Sequence, residues 1–291
     1  MKILSLLFTI LIFSFFKADK PAYLLYDQDF KPTSYEKMLK ELAQADIVFF
    51  GELHDNSLNH WLELQVTKDL FQAKKEKLIL GAEMFEADNQ TVVDEYLKKI
   101  ITAKQFETEA KVWQNYQTDY KPLLDFAQNN QLKFVATNIP RRYASIVSKG
   151  GLEALGQLSE EAKKNIAPLP IDVDLTLPAY AEMMKMDGMH GMGRSSMSAE
   201  NITKAQIIKD ATMASFILKN YQSGQTFLHY NGSYHSNNFE GIVWHLKKKT
   251  PKLKIVTINT IQAEDITKPA EKEKNSANFI FVIPDDMAKS Y

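Results

Sequence analysis

The chain contains no cysteine. That absence excludes disulfide staples, thiolate catalysis, cysteine-ligated zinc, iron–sulfur clusters and any lipid anchor built on an N-terminal cysteine. The metal ligands left are His, Asp, Glu, Tyr and Met. An excess of one charge is missing too: 35 Lys and Arg offset 36 Asp and Glu, for a net charge of -1. No net field therefore draws the chain to nucleic acid or to an anionic membrane surface, and nucleic-acid binding is disfavoured. Long apolar runs are scarce. The one at 3–16 follows Met1-Lys2 and is too short to span a bilayer comfortably. Segment 1–18 thus has the layout of a signal peptide, or of an uncleaved anchor because small residues are missing before Ala18, and it predicts an exported, periplasmic or membrane-associated protein.

What is present is an ordinary globular composition: 291 residues, 45% hydrophobic and 24% charged, enough to bury a large core. Short apolar runs recur: Ile47-Val48-Phe49-Phe50, Leu78-Ile79-Leu80, Phe134-Val135-Ala136, Phe227-Leu228, Ile255-Val256-Thr257-Ile258 and Phe279-Ile280-Phe281-Val282. Such runs suit strands buried on both faces. Between them, 57–74, 88–99, 121–129 and 202–221 place apolar residues every three or four positions, the helical period. The alternation predicts an α/β fold with a mostly parallel central sheet and helices on both faces. Segments 101–120 and 152–199 fit the repeat badly and are read as helical insertions into a single domain over 19–291.

In such sheets ligands collect beyond the carboxyl ends of the strands. Gly51-Glu52-Leu53-His54-Asp55 follows one predicted strand and Gly232-Ser233-Tyr234-His235 another, a repeated Gly-x-x-His pattern. Glycine lets the chain turn off the strand and the histidine three residues on can project over the sheet edge, so two copies can converge on one ion or substrate. A third strand adds Glu83 and Glu86. On chemistry alone, His54, Glu83 and His235 would bind a divalent ion or activate water, with Glu52 or Glu83 as general base. The plainer reading is that both histidines satisfy buried backbone groups.

The wider text resembles a family. Gly51-Glu-Leu-His-Asp with His60, Gly81-Ala-Glu-Met-Phe-Glu with Gln90, Asn138-Ile-Pro-Arg141 with Gly150, Asp210-Ala-Thr-Met213-Ala and Gly232-Ser-Tyr-His235 stand in order over about 47–246, and together are similar to ChaN-like proteins of the Tiki/TraB superfamily. The resemblance implies a periplasmic or surface haem-binding protein linked to iron uptake. It further implies haem in a pocket shared by a homodimer, tyrosine on the iron, His and Lys near the propionates, and membrane transport components as partners. Two departures stand out: many members are lipoproteins and this chain has no cysteine to lipidate, and Glu240-Gly241-Ile242-Val243 replaces a frequent Gly-Val-Pro.

The resemblance does not fix the tyrosine. Local chemistry selects Tyr143, because Arg141 and Arg142 and a predicted helix start at Pro140 favour its phenolate, a ferric-iron ligand. Arg141 or Arg142 can equally clamp a propionate. Tyr120, Tyr180 and Tyr116 are reserves, and His190 is a further cofactor-binding candidate on the methionine-rich patch 183–192, which suits a mobile apolar lid or, less well, a Cu(I) site. His229 and His245 are read as structural. Trp61, Trp113 and Trp244 fall on helical patterns and are read as core.

Overall fold

The structure, a computed structural model, describes residues 20–186 and 198–290. The leader-like segment 1–18, His190 and most of the methionine-rich patch lie outside the described residues.

Seven strands form one sheet: β1 (Leu24–Asp27), β2 (Ile47–Glu52), β3 (Leu78–Glu86), β4 (Phe134–Asn138), β5 (Thr226–Gly232), β6 (Ile255–Ala263) and β7 (Phe279–Pro284). Their order is β1-β7-β6-β2-β5-β3-β4. All neighbours run parallel except β1, which pairs antiparallel with β7. The six apolar runs of the sequence are β2 to β7; the seventh strand, Leu-Leu-Tyr-Asp, is too short and mixed to announce itself. Late in the sequence, β5 inserts between β2 and β3, and this sets the carboxyl ends of those three strands side by side.

Alternation along the strands builds the two faces. Val48, Phe50, Leu80, Leu228 and Phe281 point to a core shared with α1 (Tyr35–Leu42), α2 (Ser57–Lys74), α3 (Gln90–Leu97), α4 (Ala103–Glu109) and α5 (Lys121–Asn129). Ile47, Phe49, Ile79 and Phe227 point the other way, onto α9 (Ala199–Asn220) and α10 (Ile242–Lys249). Leu62, Val66 and Leu70 of α2 are fully buried, each contributing about 1.5–3 kcal/mol by transfer out of water. That helix starts where Asn56 accepts from the Asn59 amide at 3.0 Å, which satisfies one otherwise unpaired N–H. The same face of α2 also buries Asn59, His60, Glu63 and Thr67, an unusual polar stripe that lies under the strand ends.

Segment 101–120 folds as α4, a connecting stretch and a π-helical turn at Tyr116–Tyr120 that runs into α5. A capping box of Thr102 and Gln105 opens α4. After β4 comes α6 (Arg141–Gly150), packed on α9 through Tyr143, Ala144 and Val147. Segment 152–199 holds the short α7 (Glu160–Lys163) and α8 (Pro178–Met186). No helix among the described residues is long and apolar enough to cross a membrane.

Candidate functional site

The two Gly-x-x-His segments lie side by side because β2 and β5 are parallel neighbours with Glu52 opposite Gly232. They interlock. A Cβ on Gly232 would lie 2.6 Å from His54 Nε2, and one on Gly51 would lie 3.0 Å from Ser233 Cα. Each glycine therefore makes room for a residue of the other segment, a close approach that only a missing side chain permits.

His54 is partly exposed, its side chain at 36%. Its Nδ1 lies 2.7 Å from Glu52 Oε1, which also accepts from the Tyr120 hydroxyl at 2.7 Å. Burial pulls the His54 pKa down, but the hydrogen bond and charge of Glu52 and the charge of Glu83 together outweigh it and the net shift is upward. Glu52 is buried, which opposes its charge, yet His54 and His60 hold its pKa below the usual value.

His235 is buried and held from both sides. Its Nε2 is 3.1 Å from Glu83 Oε1 and its Nδ1 is 2.5 Å from Asp210 Oδ1. Burial disfavours the imidazolium, but the two carboxylates dominate and raise its pKa to about 10. Burial likewise opposes charge on Glu83, but the charge and hydrogen bond of His235, the charge of His54 and the Gly232 N–H donating at 2.9 Å together lower it to about 2. At neutral pH this is an imidazolium between carboxylates, with no lone pair to offer. Among the described residues, one set of three His, Asp or Glu ligand atoms lies within 4.8 Å of one another, and it is Glu52, His60 and Glu63 rather than His54, Glu83 and His235.

Above this floor opens a cavity of about 1020 Å³, at the upper end of ligand-pocket sizes. His54, Glu83 and His235 line its base, Met84, Val112, Trp113 and Ile139 give it apolar walls, and Lys111, Arg141, Arg142 and Lys209 supply cations. Segment 101–120 provides one wall, and the N-terminus of α6 another.

Arg141 and Arg142 line the cavity, and Arg142 also donates to Asp88 at 2.6 Å and to the Tyr143 hydroxyl at 3.1 Å. The Tyr143 ring lies under the Arg142 guanidinium, 4.4 Å from its centroid, within the apolar cluster between α6 and α9. Tyr143 is not among the lining residues, although Arg142 and Ala144 beside it are. Tyr120 lies beneath the floor, 1% exposed, where burial and then Glu52 push its pKa far up and keep it a phenol. Tyr180 is equally buried and donates to Asp210 at 2.6 Å. Tyr116 is packed among Phe85 and Phe106.

Several site residues escaped the sequence. Trp113 lies outside any helix, partly buried against the main core and on the cavity wall, with its ring edge-on to His54 at 5.0 Å. Trp61, also expected in the core, is half exposed on α2. Asp210 opens one of the family blocks but carried no expected role, since an aspartate inside a helix reads as a solvated face until tertiary structure buries it. Lys209, beside it, faces the cavity. His229 and His245 are buried and burial lowers both to about 4, so they are neutral at physiological pH.

A family profile described as haem-binding uptake, Tiki superfamily, ChaN matches residues 38–246. ChaN of Campylobacter jejuni, solved with cofacially bound haem, is 19% identical and superposes with a TM-score of 0.66, covering 90% of this chain and 96% of that one. This establishes a shared fold. The chloroplastic protein RETICULATA-RELATED 5 of Arabidopsis thaliana is 22% identical over 196 residues, 65% of this chain, and the match spans 26% of that longer protein. An erythromycin esterase in its open conformation is 11% identical with a TM-score of 0.46, over 89% of this chain and 83% of its own, too loose to bear on the chemistry.

Proposed function

We propose, from the premise that this chain belongs to the ChaN family of haem-binding uptake proteins in the Tiki superfamily, that it is an exported haem-binding protein of iron acquisition, with the porphyrin in the cavity above β2, β5 and β3. The observation that carries this reading is the cavity lining, which joins apolar Met84, Val112, Trp113 and Ile139 to four cations, Lys111, Arg141, Arg142 and Lys209. A porphyrin needs both: a flat apolar slot and cationic partners for its propionates. Arg141 and Arg142 begin α6, so guanidinium and helix N-terminus favour the same carboxylates.

Bound haem supplies a ferric iron that accepts phenolate or imidazole donors. We assign that role to Tyr143. Arg142 already donates to its hydroxyl, and turning Arg142 toward a propionate would uncover the ring. His54 on the cavity floor is the competing donor. A homodimer completing the far wall belongs to the same proposal.

Haemin titration followed by visible absorption and size-exclusion chromatography tests it. Saturable binding with a high-spin, tyrosinate-type spectrum and a shift to dimer is expected, and Tyr143→Phe should weaken affinity about tenfold or more, ~1.4 kcal/mol. Equal affinity in Tyr143→Phe moves the ligand to His54; no saturable change in the wild type discards the haem reading.

A second reading, a metal-dependent hydrolase, draws support from the Glu52–His54 pair at 2.7 Å, a base and its orienting carboxylate. It predicts esterase or peptidase turnover abolished by His54→Ala and Glu83→Gln. Those variants leave haem binding largely intact if Tyr143 is the ligand.

A further inference from the structure

Below the cavity floor, the polar stripe of α2 meets the end of β2 in a cluster that haem binding does not use. His60 and Glu63, three residues apart, project from one helix face toward Glu52. His60 Nδ1 is 2.8 Å from Glu63 Oε2 and 4.0 Å from Glu52 Oε2. His60 is 5% exposed and the two carboxylates 1% or less. Glu52 Oε2 and Glu63 Oε1 accept from no donor, and unsatisfied buried oxygens are costly.

The imidazole is oriented from behind. His60 Nε2 lies 3.1 Å from the His54 carbonyl oxygen and 3.5 Å from Asp119 Oδ2. Both are acceptors, so Nε2 carries the proton. Asn115 donates to that same carbonyl at 2.8 Å and to Asp119 at 2.6 Å, which fixes the outer partners in turn. An imidazole bound by its far N–H to carbonyl and carboxylate is the arrangement that presents the other nitrogen to a metal. Here that nitrogen, Nδ1, faces Glu63 Oε2; against burial, Glu63, Glu52 and Asp119 raise the His60 pKa to about 10, so without a metal Nδ1 carries a proton, which a bound cation would displace. Burial and the Glu52 charge push the Glu63 pKa well up, so in the metal-free chain protons on His60 and on the Glu52–Glu63 pair offset the buried negative charge. A divalent cation would neutralise two carboxylates at once and occupy both partnerless oxygens.

We propose that Glu52, His60 and Glu63 form a structural site for a divalent first-row transition ion, an imidazole–carboxylate set of the kind Zn²⁺ and Mn²⁺ accept. The site is sealed from solvent, so its ion ties α2 to β2 and fixes the orientation of Glu52, and through Glu52 Oε1 that of His54. It stands independently of the haem reading.

The full chain, stripped with EDTA and dialysed separately against ZnCl₂ and MnCl₂, is desalted and assayed for metal by mass spectrometry and for thermal unfolding. About one equivalent of one ion and a raised Tm are expected, since binding energy adds to folding. Both should vanish in Glu63→Gln and persist in His235→Asn, which separates this site from the strand-end cluster. Should Glu63→Gln fail to fold, anomalous scattering at the metal edge from wild-type crystals decides: density beside His60 Nδ1 supports the site, and density between His54 and His235, or none, overturns it. Retention unchanged in a folded Glu63→Gln, or none in the wild type, also overturns it, leaving two carboxyl groups that share a proton.

Discussion

Gly232 and Gly241 show how different two glycines of one site can be. A methyl group on Gly232 meets the tip of His54, a partly exposed side chain free to swing into the cavity. Gly232→Ala should therefore cost under about 1 kcal/mol while breaking the Glu52–His54 contact, and the raised His54 pKa should fall back in an NMR titration. Gly241 has φ +54° and its added methyl would strike the His235 carbonyl oxygen, which is backbone. Gly241→Ala should cost about 2 kcal/mol or more by urea unfolding. The His235–Glu83 pair gives a pH signature. His235 is raised from 6.5 to about 10 on folding, so its stabilisation is complete below pH 6.5 and is lost as pH climbs to 10. Glu83 is lowered from 4.5 to about 2, so its stabilisation holds above pH 4.5 and is lost as pH falls to 2. His229 and His245, depressed from 6.5 to about 4, lose theirs as pH falls through that interval. Stability should peak near pH 6.5; because His60 is likewise raised to about 10, His235→Asn should remove only about half of the alkaline slope, at a cost of about 3 kcal/mol near the peak. An alkaline slope left undiminished in His235→Asn would reject this assignment.

At the scale of elements, the two ends of an argument about legibility are α2 and β1. Helix α2 spans 57–74 as its apolar period predicts, and α5 spans 121–129 with Pro122 in its first turn. β1 is four residues long and owes its existence to β7, more than 250 residues later, so no local pattern could reveal it. The strand-end residues His54, Glu83 and His235 were legible because glycine, histidine and a preceding buried run occur together. Asp210, Lys209 and Trp113 were not, because their roles come from what α9 and segment 101–120 pack against. Asp210 joins three elements: it accepts from Tyr180 of α8 and lies against His235 after β5. Asp210→Asn should lower the His235 pKa markedly, cost about 2–4 kcal/mol, and loosen α8, read as faster proteolysis around 178–186. Unchanged protection there would show that α8 is held by its apolar contacts alone.

Across the whole molecule, the near-zero net charge conceals a strong local asymmetry. The cavity lining carries Lys111, Arg141, Arg142 and Lys209 against Glu83 and Glu86, while buried carboxylates collect around His60 and His235. A ligand with an apolar body and anionic edges meets attraction from the four lining cations, and a cation is favoured most in the buried cluster below. The class of fold, the family and the carboxyl edge as the place of the site all follow from short motifs at strand ends. The depth at which each residue lies, above the floor for Arg142 and beneath it for Tyr120, depends on side-chain packing that spacing does not encode.

The late insertion of β5 also bears on how the protein comes into being. While the ribosome is still delivering the first two hundred residues, β2 and β3 each expose a bare, apolar edge with no strand between them. Nothing resembling half of the final sheet is available to that nascent chain, because the central position is filled by a segment not yet made. Premature termination anywhere before Thr226 would therefore release a sticky fragment rather than a smaller working protein, and such fragments would be natural clients for chaperones and proteases.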